Sequence, residues 1–184
     1  MPQLLTIDLL GWNGSAHLER TCRALQAVPK DIATIRYIDN ASQDASCEIV
    51  RDLLPNVEII NLPKNKGFAH AHNIGISLCS TEYILTLDQD IELIWDGIAT
   101  LLDAMKKDPK LGALQGKLYR TEGRKVIDSA GISKTLALNG NERGANEKDT
   151  GQYETSAHLF AVTGGCGLYR IKALDSVRYS NPPT

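Results

Sequence analysis

Two hydrophobic periods take turns along the first half of the chain. Residues 4–10 are apolar except at Thr6 and Asp8, and the run stops at Gly11, Asn13 and Gly14, which predicts a buried strand entering a turn. Past Ser15, a residue suited to a helix N-cap, Leu18, Cys22 and Leu25 form one stripe of an amphipathic helix that ends before Pro29. A second strand is predicted over 33–39. After the turn formers Asn40, Ala41 and Ser42, residues Ala45, Ile49 and Leu53 share one face of a helix over 44–54, stopped by Pro55. A strand over 57–62, a loop at 64–67, a helix over 69–79 and a strand over 82–88 complete the series.

The periodicity then loosens. A helix is predicted over 95–107 and a strand over 112–119. Residues 121–151 are rich in Gly, Asn, Lys and Glu, with a brief apolar break at 136–138, and read as an excursion or flexible loop. Order returns at 159–163, followed by the glycine-rich 164–167 and by 168–173. Strands alternating with helices predict an α/β fold: a mainly parallel sheet flanked by helices on both faces, with ligands gathered outside the carboxyl ends of the strands. Trp12, Asp39 and the segment 88–90 each fall at or just past such an end, so three separate segments should meet in one crevice.

With 184 residues, 42% of them hydrophobic, the chain is long enough for one sizeable core, and residues 1–184 are expected to form a single domain. The 20 basic and 22 acidic residues are interspersed, leaving a net charge of −2 and no basic stripe that would draw nucleic acid. A phosphate-bearing substrate would therefore need local neutralisation, which a divalent cation held by carboxylates supplies. Cys22, Cys47, Cys79 and Cys166 are far apart and fit neither a metal pair nor a disulfide framework, so a reducing cytoplasm is expected. No apolar run approaches the roughly 18 residues of a membrane span. Peripheral association with the inner face of the cell membrane is left to parts outside this sequence.

The candidate chemistry centres on Asp88-Gln89-Asp90. In an extended chain residues i and i+2 point the same way, so both carboxylates can face one Mg²⁺ or Mn²⁺ ion while Gln89 turns aside. Standing alone, the tripeptide reads equally well as two solvated aspartates at a strand end. Asp39 can accept a hydrogen bond from the imide N–H of uracil or thymine, while Ser42 or Asp44 caps the next helix. In the segment 65–73, Gly67 permits close backbone approach, the following helix N-terminus favours anions, and Lys66 adds positive charge. His70 and His72 form an H-x-H pair, but i and i+2 do not share a helical face and no neighbouring ligand completes a zinc set.

The strings GWNG (11–14), IDNAS (38–42), NKGFAHAHNIGI (65–76) and LTLDQD (85–90) resemble, in order and spacing, the family 2 glycosyltransferases of the GT-A (Rossmann-like) fold. DSAGI (128–132), RGANEKDTGQY (143–153) and VTGGCGLYR (162–170) look like the bacterial rhamnosyltransferase branch of that family. The resemblance implies an inverting transfer of a rhamnose-like sugar from a dTDP- or UDP-sugar donor to a saccharide or lipid-linked acceptor in polysaccharide biosynthesis. It implies that the backbone around Leu10 and Trp12 and the carboxylate of Asp39 hold the base. Gly67 and Asn73 would line the nucleotide side, with Asp90 as main metal ligand and Asp88 beside it. Gly164 and Gly165 would lie where the sugar meets the acceptor.

The likeness has two departures. The resembled enzymes carry a later acidic motif, Glu-Asp-x-Asp after an aromatic-rich run, which supplies the base that deprotonates the acceptor. Nothing like it follows 162–170, and Asp175 comes too soon after Tyr169 to match, so the chain is expected to be truncated, with the base beyond Thr184. Gly11 also replaces the polar residue usual before the aromatic. A truncated, non-catalytic nucleotide-sugar-binding module is the alternative. A phosphatase of the haloacid dehalogenase type, whose nucleophile also sits in a D-x-D, fits poorly, because that motif closes the first strand rather than the fourth.

Overall fold

The computed structural model describes residues 3–120, 125–134, 139–155 and 158–178. The apolar break at 136–138 and the tail 181–184 lie outside them. The chain runs β1 (Leu5–Gly11), α1 (Leu18–Leu25), β2 (Ala33–Asp39), α2 (Ser46–Leu53), β3 (Glu58–Asn61), α3 (Phe68–Leu78), β4 (Tyr83–Asp88) and α4 (Trp95–Lys107). Short strands follow: β5 (Ala113–Leu114), β6 (Leu118–Tyr119), β7 (Ile127–Ser129), β8 (Ile132–Lys134) and β9 (Gly140–Glu142). A 3-10 turn (Gly164–Cys166), β10 (Leu168–Arg170) and α5 (Ile171–Ser176) close the described chain.

Among the described residues the main sheet has the order β3-β2-β1-β4-β10-β5. The first four strands are parallel, and β10 is antiparallel to both of its neighbours. Strand alternation sorts the side chains. Leu5, Ile7 and Leu9 of β1 and Tyr83, Leu85 and Leu87 of β4 turn to one face, where they pack with Leu18, Cys22 and Leu25 of α1, Val50 of α2 and Ile98, Leu102 and Met105 of α4. Each such side chain taken from water stabilises the fold by roughly 1.5–3 kcal/mol.

The opposite face is more polar, and α3 covers it. Leu10, Ile38, Leu62 and Ala71 form a small apolar cluster there. Beside it, the register of β1 against β2 sets Asp8 opposite Arg36. Arg36 donates from Nε to Asp8 Oδ1 at 2.8 Å, and from Nη2 to Asp8 Oδ2 and to the Gly75 carbonyl, both at 2.8 Å. Burial raises the Asp8 pKa despite the opposing pull of Arg36. A Cβ at Gly75 would stand 2.0 Å from Asp8 Oδ2, so only glycine lets α3 settle on this pair. The polar interruption at Asp8 in an apolar strand is thus the seat of a helix.

Two expectations need correction. The strand expected over 112–119 is broken: β5 joins the main sheet, while β6 leaves it to pair with β7. Between them Gln115 is pulled both ways, donating to Ser129 Oγ at 2.9 Å and accepting from Thr163 N–H at 2.7 Å. The stretch read as a flexible loop carries β7 and the β8–β9 pair, and it buries Ile127, Ser129 and Ala130. Strands of two or three residues carry too few alternations to show in a sequence.

Candidate active site

The strand order turns outward in opposite directions from β1 and β4, and a cleft of about 300 Å³ opens at their carboxyl ends. Leu10, Trp12, Asn40, Gly67, Asp88 and Asp90 are among its wall residues. The sequence thus placed Leu10, Trp12, Gly67, Asp88 and Asp90 in segments that the fold brings to one cleft. Gly67 stands at the start of α3 with φ of 88° and nothing within 4 Å of where a Cβ would be, so its backbone lies open.

The loops around the cleft are laced together by side chains. Four successive backbone N–H groups after β1 are each accepted by a side chain: Trp12 by Gln89 Oε1 at 2.8 Å, Asn13 by Ser42 Oγ at 3.0 Å, Gly14 by Ser46 Oγ at 2.8 Å and Ser15 by Asp44 Oδ2 at 3.0 Å. Ser15 is therefore not the cap of α1, which begins after a turn closed on the Gly14 carbonyl. Burial works against the ionised Asp44, but hydrogen bonds from Ser46 and Ser15 outweigh it and hold the carboxyl at about 2. Between the next two loops, Asn40 Nδ2 donates to Asn65 Oδ1 at 3.0 Å and Asn65 Oδ1 also accepts from Gly67 N–H at 2.8 Å.

Asp88 and Asp90 reach the cleft differently from the expected strand alternation. The chain turns at Asp88, with Ile91 N–H donating to the Asp88 carbonyl at 3.2 Å, and Asp90 projects from that turn, exposed. Gln89 folds back onto the Trp12 peptide, accepting its N–H and donating to its carbonyl at 3.3 Å. Thr21 Oγ1 adds a bond to the Gln89 carbonyl at 2.8 Å. Gln89, Asn40 and Asn65, which sequence reasoning passed over as site residues, thus hold the loops in place.

Gly164 and Gly165 lie beside Asp88 and Phe68. Thr86 Oγ1 of β4 donates to the Gly164 carbonyl at 2.7 Å, and a Cβ at Gly165 would stand 2.7 Å from Asp88 Oδ2. Burial and the nearby Asp88 carboxylate push the Cys166 thiol up to about 12, which keeps it protonated and unreactive.

Two of the expected nucleotide contacts are not part of the cleft wall. Asp39, 4% exposed, sits at the end of β2 with its carboxylate engaged by Ser42 N–H at 3.1 and 3.3 Å. Asn73 is exposed on α3, whose buried residues are Ala71, His72 and Gly75. Gly11, facing Asp39 across the register, leaves room for the buried Tyr37 hydroxyl, which would stand 2.3 Å from a Cβ there. His70 is exposed and His72 buried, so the two rings do not share a face. Among the described residues no three His, Cys, Asp or Glu side chains group to hold a metal alone. Two carboxylates at the cleft suit a hard cation that keeps positions open for phosphate oxygens.

The sequence matches glycosyl transferase family 2 over residues 12–178. The chain belongs to that family. Over 114 residues it is 32% identical to poly-beta-1,6-N-acetyl-D-glucosamine synthase of Staphylococcus aureus, a stretch covering 61% of this chain and 28% of that protein. The Staphylococcus epidermidis enzyme of the same name is 32% identical over 107 residues, covering 57% of this chain and 26% of its own length. The chain therefore spans under a third of these curated relatives. Staphylococcus aureus TarS residues 1–349 share the fold, with a TM-score of 0.66 at 16% identity over 95% of this chain and 49% of that one. So does the mannosyltransferase PcManGT from Pyrobaculum calidifontis, solved with GDP-Man and Mn²⁺, with a TM-score of 0.65 at 16% identity over 96% of this chain and 47% of its own. The α/β GT-A fold expected from the motifs is the one observed, and family membership sets aside the phosphatase reading.

Proposed function

We propose that the cleft binds a nucleoside diphosphate sugar, and that the chain supplies the donor side of an inverting glycosyl transfer. The observation that carries this reading is the meeting of Asp88 and Asp90 with Trp12 and Gly67 at the β1–β4 switch point. The four amides after β1 are already occupied by side chains, so they cannot serve as a phosphate nest. Charge on the diphosphate must then be met at the α3 N-terminus, whose first-turn N–H groups lack intrahelical partners, and at the two carboxylates through a cation. Asp90, exposed on its turn, is the main ligand in this reading, with Asp88 beside it.

A bound Mg²⁺ or Mn²⁺ would stabilise the negative charge that gathers on the departing diphosphate. The protein's own part is to hold the pyrimidine base along the Leu10–Gly11–Trp12 backbone and to keep Asp88 and Asp90 in register through Gln89. An acceptor hydroxyl approaching from the Gly164–Gly165 side attacks the anomeric carbon as the bond to the diphosphate oxygen breaks, and its proton passes to a general base. The donor is a dTDP- or UDP-sugar: the motif resemblance supports rhamnose, while the curated relatives are named for N-acetylglucosamine polymers. The acceptor is a saccharide, free or lipid-linked. No helix among the described residues is long and apolar enough to cross a membrane.

Calorimetry with dTDP and UDP, with and without Mn²⁺, tests the site. Wild type should bind in a Mn²⁺-dependent manner and Asp90→Ala should lose that dependence, with circular dichroism confirming that both are folded. Metal-independent binding unchanged in Asp90→Ala would overturn the proposal. Donor binding without transfer, from dTDP-rhamnose or UDP-GlcNAc, would favour the non-catalytic module.

A further inference from the structure

We propose that His72 is a positioning residue for Asp88: helix α3 aims its ring at that carboxylate, and the bond between them closes when donor and cation fill the cleft. The inference rests on the donor-site reading above. His72 is 5% exposed, and neither Nδ1 nor Nε2 has a hydrogen-bond partner. A buried polar side chain with both nitrogens unpaired works against folding, and such groups in a native fold call for a purpose.

The surroundings of the ring point to one partner. The Phe68 ring meets it edge to face at 4.4 Å between centroids and offers no acceptor. Asp8 lies under the same helix, but both its oxygens are engaged by Arg36. The Asp88 side chain, one-third exposed at the cleft, brings Oδ1 to 3.9 Å from Nε2. That gap is about 1 Å beyond hydrogen-bond length, within the reach of a small rotation of the carboxylate. The other oxygen, Oδ2, would stand 2.7 Å from a Cβ at Gly165, so the glycine turn hems in Oδ2 while Oδ1 is the oxygen nearest the imidazole.

An Nε2–H donated to Asp88 would fix one carboxylate oxygen while leaving the other oxygen for a cation. Carboxylates that hold metals are commonly oriented by such partners, and losing the partner typically weakens metal affinity about 10–100-fold. Direct ligation by His72 is not invoked, since it belongs to no three-residue metal group among the described residues.

The role separates from a packing role because the orphaned nitrogens predict opposite effects on stability and on binding. His72→Leu removes the unpaired polar atoms, so the thermal midpoint should hold or rise, while Mn²⁺-dependent UDP or dTDP affinity should fall about 10–100-fold. His72→Gln retains a donor and should recover most of that affinity. Wild-type affinity in His72→Leu overturns the inference, and so does a loss of affinity that tracks a lowered midpoint and is not rescued by glutamine. If wild type shows no Mn²⁺-dependent binding, the donor-site reading falls and this inference with it. If Asp90→Ala abolishes binding while His72→Leu leaves it intact, only the inference about His72 fails.

Discussion

The parallel half of the molecule, residues 5–107, and the excursion over 112–155 are held together by different physics. In the parallel half, alternating apolar residues from β1, β2 and β4 pack against three helices, and a doubly hydrogen-bonded ion pair seats the fourth. Among the described residues of the excursion the buried apolar ones are few, and polar side chains carry the ties. Lys117 Nζ bonds Asp149 at 2.8 Å and Glu154 at 2.5 Å, Tyr119 donates to Asp149 at 2.6 Å, and the Arg143 guanidinium lies 4.3 Å from the Tyr153 ring centroid. Apolar packing is non-directional and visible as periodicity. A polar tie needs a particular partner, and that partner is found only when the chain has folded.

The contrast should be sharpest at Arg36. Arg36→Met strands the Asp8 carboxylate beneath α3 and should cost about 3–5 kcal/mol in urea unfolding, whereas pairing it with Asp8→Leu should recover most of that loss. Equal destabilisation by the single and double variants would show that the ion pair is not what seats the helix.

A smaller, local effect is expected at Lys117. Replacement by alanine breaks the ties from Lys117 to Asp149 and Glu154 at once, so protease cleavage within 125–155 should quicken several-fold while the midpoint of global unfolding barely moves. Global unfolding in step with that cleavage would mean that the two regions are one cooperative unit.

The smallest effect is set by pH. Hydrogen bonds from Lys117 and Tyr119, with one from Gly151 N–H, lower the Asp149 carboxyl from 3.8 to about 2. A lowered folded-state pKa means that the stabilisation is complete above the ordinary value and is lost as pH falls from 3.8 toward 2. Amide exchange in 140–154 should accelerate across that window before exchange in β1 and β4 does. The loops after β1 and β2 share the window through Asp44, and their earlier or later release would rank the cleft against the excursion.

Much of the parallel half was legible. The strand expected over 33–39 and the helix over 95–107 are observed with those bounds, because each is bracketed by turn formers or by a clear change of period. That Asp88, Asp90, Trp12 and Gly67 would meet at one cleft could be read because a parallel sheet delivers its strand ends to one side. Gln89, Asn40 and Asn65 were missed: an amide side chain in a loop looks the same whether it is solvated or ties two loops together. His72 was weighed only as half of a zinc pair, and its isolation beside Asp88 follows from how α3 rests on Asp8 and Arg36.

Pattern along the chain determined the elements, their alternation and the strand ends where acidic groups gather, since backbone periodicity and turn chemistry act over a few neighbouring residues. Tertiary structure alone decided which buried charge meets which and which imidazole is left without a partner. Asp8 and Arg36 are 28 residues apart and His72 and Asp88 are distant in the chain, and only strand register and the close seating of α3 at Gly75 bring such groups within ångströms.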